Sequence, residues 1–112
     1  MYGRNVGKAV TSGVGPVTPI KVAWASVAAS ATNPYQLVGF SGGTSAHACT
    51  VQVFFGSTVV LSYYSKASGH AVSEFFGEDG PITATNEKLA IKTTAVIAGE
   101  PCYANLLYRI VL

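Results

Sequence analysis

The sequence predicts an all-β domain: a jelly-roll-like antiparallel β-sandwich that follows an extended N-terminal arm. Apolar residues recur at every second position in short runs, most clearly from Pro101 to Leu112, where Cys102, Ala104, Leu106, Tyr108, Ile110 and Leu112 share one face. Glycine, proline and asparagine separate these runs at short intervals, as they do in a sandwich of about eight strands. No stretch carries apolar residues at i, i+3, i+4 and i+7 between helix caps; the alanine-rich segment Val22–Ala31 comes nearest, and it alternates equally well.

Residues 1–19 hold four glycines (Gly3, Gly7, Gly13, Gly15) and two prolines (Pro16, Pro19), with isolated valines and no sustained period. Such a segment cannot bury enough surface to order itself, so it reads as an arm reaching roughly 60 Å when fully stretched, with residues 20–112 as the sandwich domain. The first strand starts at Ile20, where Ile20, Val22, Trp24, Ser26 and Ala28 alternate with Lys21, Ala23, Ala25 and Val27. Asn33 and Pro34 make a turn. Tyr35–Ser41 is the second strand, ended by Gly42 and Gly43, and in the third Cys49, Val51, Val53 and Phe55 line one face. Gly56-Ser57 then suits a two-residue type II′ hairpin with glycine at its first central position, returning through Thr58–Tyr64. Ser65–His70 is a loop, Ala71–Phe76 a fifth strand, and Glu78–Pro81 a tight turn in which Gly80 supplies positive φ. Ile82–Thr85 is at best a short strand. Asn86 and Glu87 turn the chain into Lys88–Ala95, where Lys88, Ala90 and Lys92 mark a solvent side. The closing strand stops on Ile-Val-Leu with no polar tail, an end that needs pairing and cover, so it reads as a central or well-covered strand.

A chain of 112 residues is one domain, able to bury roughly 60–70% of its unfolded surface without staples. Charged residues make up only 11%, against 49% hydrophobic, about half the usual charged share. A surface left largely to Ser, Thr, Ala and Gly suggests that other protein covers part of it. Of the net charge of +2, Arg4, Lys8 and Lys21 supply +3; the remaining four basic and five acidic residues leave −1 for residues 22–112. Three cations without aromatic interleaving make a weak nucleic-acid signal, and the arm is read instead as ordering on a protein partner. No apolar run approaches the ~20 residues of a membrane span and residues 1–19 hold no signal-peptide-like segment, so the expectation is a cytosol-like site of synthesis and no membrane. Cys49 and Cys102 fall on apolar strand positions and read as buried free thiols, a bridge being open if their strands adjoin.

Three constellations could carry chemistry. Gly39-Phe40-Ser41-Gly42-Gly43 matches the G-x-S-x-G elbow, but no helix follows it, and Asp79, His47 and His70 offer no local triad. His47, Cys49, His70 and Cys102 match no common zinc spacing. Glu74, Glu78 and Asp79 are the one acidic cluster, read as a solvated turn or as an anchor for a partner's Arg or Lys. The expectation is therefore a non-enzymatic protein without metal or cofactor.

The aromatic doublets Phe54-Phe55, Tyr63-Tyr64 and Phe75-Phe76 put a ring on both faces of each strand, whereas a sandwich sheet has one inner face. The outward members, taken as Phe54, Tyr64 and Phe76, are expected to form a self-association surface.

From about Ala25 onward the chain resembles the small jelly-roll decoration or cement proteins of tailed-bacteriophage capsids and related head-fibre modules. The resemblance rests on the Tyr35-Gln36-Leu37-Val38-Gly39-Phe40 strand, the Thr50-to-Ser57 hairpin run, the Phe76-Gly77-Glu78-Asp79-Gly80-Pro81 turn, the Asn86-Glu87-Lys88-Leu89-Ala90-Ile91 strand and the terminal Tyr108-Arg109-Ile110-Val111-Leu112. It implies a virion structural protein, made in the host cytoplasm, that sits on the capsid exterior as a dimer or trimer and bridges neighbouring copies of the major capsid protein. In that setting the arm contacts would be Tyr2, Arg4, Lys8 and Lys21. The alternative is a carbohydrate- or host-surface-binding module of a phage fibre, with Trp24 or an exposed tyrosine stacking on a sugar.

Overall fold

The computed structural model describes residues 10–17, 22–44, 47–66, 71–96 and 101–112. Eight strands, β1 (Val10–Val17), β2 (Val22–Val27), β3 (Tyr35–Thr44), β4 (Cys49–Phe55), β5 (Thr58–Ser65), β6 (Ala71–Phe75), β7 (Leu89–Ala95) and β8 (Cys102–Ile110), form two four-stranded sheets. Their orders are β1-β8-β3-β6 and β2-β7-β4-β5, and every pairing is antiparallel. Only β4 and β5 are consecutive partners in one sheet; every other step crosses between sheets, the wiring of a jelly roll.

Period-two patterning decides which side chains meet between the sheets. Cys49, Val51 and Val53 of β4, Leu89 and Ile91 of β7, and Cys102, Ala104 and Leu106 of β8 are fully buried there. Each Val, Leu or Ile so buried contributes about 1.5–3 kcal/mol relative to exposure. β2 offers Ala23 and Ala25 to this core, with Val27 partly buried against it, and β3 offers Tyr35, Leu37 and Phe40. The strand expected to be central or well covered is β8, which lies between β1 and β3. Its end is tied to the Asn33-Pro34 turn: Val111 N donates to Pro34 O at 2.9 Å and Asn33 Nδ2 donates to Val111 O at 2.8 Å. The β4–β5 hairpin is as expected, with Gly56 at φ 63° and no positive φ at Ser57, the type II′ signature.

Several expectations need correction. Eight residues of the supposed arm are sheet: Val10–Val17 pairs along β8, from Val10 opposite Tyr108 to Val17 opposite Cys102. Its sequence shows no face because it is an edge strand whose register shifts between Val14 and Val17, where Pro16 has no N–H to give. The sandwich therefore takes in Val10–Val17 rather than starting at residue 20, while residues 1–9 and 18–21 lie outside the described residues.

Gly42 and Gly43 do not end β3, which runs on to Thr44. A Cβ on Gly42 would fall on Thr93 Oγ1 and come within 3.1 Å of both Val51 methyl carbons in the facing sheet. Glycine is there for close approach, not for a turn. The Glu78–Pro81 turn is a single 3₁₀ turn, Gly77–Asp79, entered from Phe76. Positive φ belongs to Gly77 (61°), whereas Gly80 is extended at φ −69°. What Gly80 provides is contact, because a Cβ there would overlap the Leu37 carbonyl oxygen. Buried Gln36 fastens this turn to β3 by donating from Nε2 to Glu78 O (2.7 Å) and Gly80 O (3.1 Å).

Candidate functional site

The β2-β7-β4-β5 sheet turns a row of large side chains outward. In register across it lie Trp24, Lys92, Gln52 and Ser62; one row away lie Val22, Thr94, Thr50 and Tyr64, and on the other side Ser26, Ala90, Phe54 and Val59. The Trp24 and Phe54 ring centroids are 5.5 Å apart with planes inclined by 38°. Lys92 Nζ stands 5.3 Å from the Trp24 ring and 5.5 Å from the Phe54 ring, so one cation serves both π faces. Ala90, expected on a solvent side with Lys88 and Lys92, is instead 1% exposed. It occupies the outward position beside Phe54 in the next row to Trp24, and a methyl group there leaves room for the rings to lie over the sheet. Trp24 remains 46% exposed and Tyr64 65%.

The opposite face, on β6, β3 and β8, has a hollow of about 260 Å³ lined by Gly39, Ser41, Glu74, Phe75, Asn105 and Leu107. Register explains it. Gly39 lies between Phe75 and Leu107 on its two partner strands, so two large apolar side chains flank a position with no side chain. A Cβ on Gly39 would stand 2.9 Å from Glu74 O. In the next row Ser73, Ser41 and Asn105 line up, and Asn105 Nδ2 donates to Ser41 Oγ at 3.5 Å. Phe75 is 74% exposed.

Of the expected self-association residues, Phe54 and Tyr64 do share one outer face. Phe76 does not join them: it packs against the core, with its ring 6.3 Å from that of Phe40. The outward member of that doublet is Phe75. The polar Glu74 misleads, since it suggests that Val72, Glu74 and Phe76 face water, whereas Val72 and Phe76 both pack inward. Tyr2, Arg4, Lys8 and Lys21 lie outside the described residues. Sequence reasoning puts Lys92 on a solvent side, between Ile91 and Thr93, but assigns no part in these faces to Lys92, Phe75, Leu107 or Gly39.

The chemical constellations come apart. Ser41 sits within β3, paired on one side with Ser73 and on the other with Asn105, not on a strand-to-helix turn. Cys49 and Cys102 are buried and in no disulfide, as expected, while His47 is exposed and His70 lies outside the described residues. Among the described residues no three of His, Cys, Asp and Glu gather where they could hold a metal ion.

No family model matches the chain, and no curated protein sequence matches it. Among solved structures it is similar to PirA, with a TM-score of 0.53 and 10% identity over 88% of this chain and 92% of that one. It is similar also to a subunit of Bacillus endospore appendages that form disulfide-linked pili, with a TM-score of 0.54 and 13% identity over 99% of this chain and 92% of that one. The capsid of the extra small virus of the prawn Macrobrachium rosenbergii superposes at a TM-score of 0.44 and 13% identity, over 97% and 80% of the two chains. At such identities the likeness to the first two is one of fold: an all-β jelly-roll sandwich.

Proposed function

We propose that this chain is a non-enzymatic structural protein of a virion, one that decorates an icosahedral phage capsid from outside and cements neighbouring subunits of the major capsid protein. The observation that carries this reading is the pair of outer faces: Trp24, Phe54 and Tyr64 stand on one, and Phe75 beside Leu107 on the other. A small domain with large apolar groups on both sides of its sandwich suits a place between other proteins, where aromatic side chains supply most of the contact energy. The scarcity of charge points the same way, and the resemblance of the strand and turn patterns to those of capsid decoration proteins suggests the setting. Repetition over a shell lets each contact be modest, because copies already linked to one another bind with avidity. In this reading Tyr2, Arg4, Lys8 and Lys21 add to the contact.

Co-sedimentation with empty capsids tests the reading. Trp24→Ser combined with Phe75→Ser should release the protein from capsids while its melting temperature stays close to that of the unaltered chain. Undiminished co-sedimentation of the double variant would overturn it. The row of Trp24, Lys92 and Gln52 favours a second reading, a sugar-binding face on a fibre, since it sets a ring beside two hydrogen-bonding side chains. Binding on a glycan array that is lost in Trp24→Ser, with no binding to capsids, would select it.

A further inference from the structure

We infer that β5 is a pairing edge for a second copy of this chain. Two molecules would join their β5 strands antiparallel about a two-fold axis at Ser62, merging two four-stranded sheets into one of order β2-β7-β4-β5-β5-β4-β7-β2. Among the described residues β5 is hydrogen-bonded to β4 alone, so every second residue directs its N–H and C=O away from the sheet. The other sheet ends bear features that discourage pairing. β1 contains Pro16; β6 is only five residues long, carries Glu74 and runs into the 3₁₀ turn; β2 is shorter than β5 and lies against β1 and β8. β5 is longer than β2 and β6, its eight residues, Thr-Val-Val-Leu-Ser-Tyr-Tyr-Ser, include no charge and no proline, and it touches the other sheet, at β6, less than β2 does at β1 and β8. An exposed strand of this composition is the kind that pairs with another chain.

A second copy is the occupant because β5 is complementary to itself. Pairing about Ser62 sets Leu61 opposite Tyr63 of the second copy and Val60 opposite its Tyr64, aliphatic against aromatic on both faces, and no like charges meet. A shift by one residue would turn inward side chains against outward ones, so the register is constrained. Val60 is the extra residue of the bulge in the β4–β5 ladder, between the pairs Val53–Leu61 and Phe54–Val59, so the pair it makes with Tyr64 sits at the bulge, while Leu61–Ser65 are regular and hold the centre of the pairing. Val59, Val60 and Tyr64, all exposed in the single chain, would be covered, and the Trp24–Phe54 face would continue across the dimer.

This inference rests on the reading of a self-associating structural protein, but its test is separate from capsid binding. Sedimentation equilibrium of the full chain at micromolar concentration should give a dimer. Ser62→Lys puts like charges directly opposite each other on the axis and should raise the dissociation constant by up to roughly fivefold, with the melting curve of the dilute protein little changed. Ser62→Cys should cross-link to a covalent dimer under mild oxidation, since Cys49 and Cys102 are buried and do not compete, whereas Ser73→Cys on β6 should not. A monomer at these concentrations, a dimer indifferent to Ser62→Lys, or equal cross-linking through Ser73→Cys would overturn β5 pairing. A monomer that still co-sediments with capsids would do so while leaving the decoration reading intact.

Discussion

Gly42→Ala should destabilise the domain by about 2 kcal/mol, and most of that loss should vanish when Thr93 is also alanine. The new methyl group would fall on Thr93 Oγ1 and press both Val51 methyls at 3.1 Å. Neither neighbour can retreat easily, because β7 is held between β2 and β4, and β4 between β7 and β5. Overpacking costs about 1–3 kcal/mol, and a clash with two held strands belongs at the upper end, about 3 kcal/mol; replacing a strand glycine returns about 0.5–1 kcal/mol of backbone entropy, which leaves about 2 kcal/mol. At about 4–8 °C per kcal/mol for a domain near this size, the melting temperature should fall by roughly 10 °C. Thr93→Ala alone should be mild, since Thr93 Oγ1 is buried without a hydrogen-bond partner and its removal lifts a desolvation cost that offsets the small void. Denaturant melts of the four proteins close a double-mutant cycle, with an expected coupling of about 1–2 kcal/mol. Losses that simply add, to within about 0.5 kcal/mol, would refute the claim that Gly42 is glycine because of Thr93.

Three further perturbations separate side chains that the sequence makes look alike. Phe76→Ala should cost about 2–4 kcal/mol, less than a fully buried ring, and Phe75→Ala less than about 0.5 kcal/mol, read as urea midpoints; equal losses would contradict the assigned faces. Asn86 has φ 64°, so Asn86→Gly should be nearly neutral in a thermal melt and Asn86→Val should lose about 1–2 kcal/mol. Trp24 is the sole tryptophan and carries Lys92 Nζ over its ring, so Lys92→Met should reduce quenching of its emission by iodide but not by neutral acrylamide. Unchanged iodide quenching would place the ammonium elsewhere.

The strands legible in the sequence are those whose two faces differ. In β4, Cys49, Val51 and Val53 against Thr50 and Gln52 leave one choice of inner face, and that parity also assigns Phe54 outward; pairing Thr50 with Tyr64 carries the assignment to β5. β1 was not legible because an edge strand interrupted by Gly13, Gly15 and Pro16 has no face to display. Glycines were legible as special positions but not as to kind. Whether Gly42 marks a turn or a close approach depends on Thr93, fifty-one positions away, and Gly39 forms a hollow only because Phe75 and Leu107 arrive on either side of it. A doublet such as Phe75-Phe76 leaves parity undecided, and the one polar neighbour pointed the wrong way.

The outward rings follow from how the interior is filled. Ala23, Ala25, Ala95 and Ala104, with Cys49 and Cys102, are all buried between the sheets, and Gly42 marks a point where the sheets approach too closely for even one more carbon. An interior this thin in places has no room for a tryptophan beside those alanines. Trp24, set between Ala23 and Ala25, is held outward by the demands of the inner face, because a slip of one residue would drive its ring into the core and bare both alanines. Trp24, Phe54 and Lys92 are therefore carried by rigid, paired backbone, and binding through them costs little ordering entropy. Residues 1–9 lie outside the described residues. Affinity for a partner should accordingly depend more on the sheet faces than on those nine residues, and truncation before Val10 should weaken capsid binding less than Trp24→Ser with Phe75→Ser does. The reverse ranking in co-sedimentation would mean that the rings are covered by something other than the capsid.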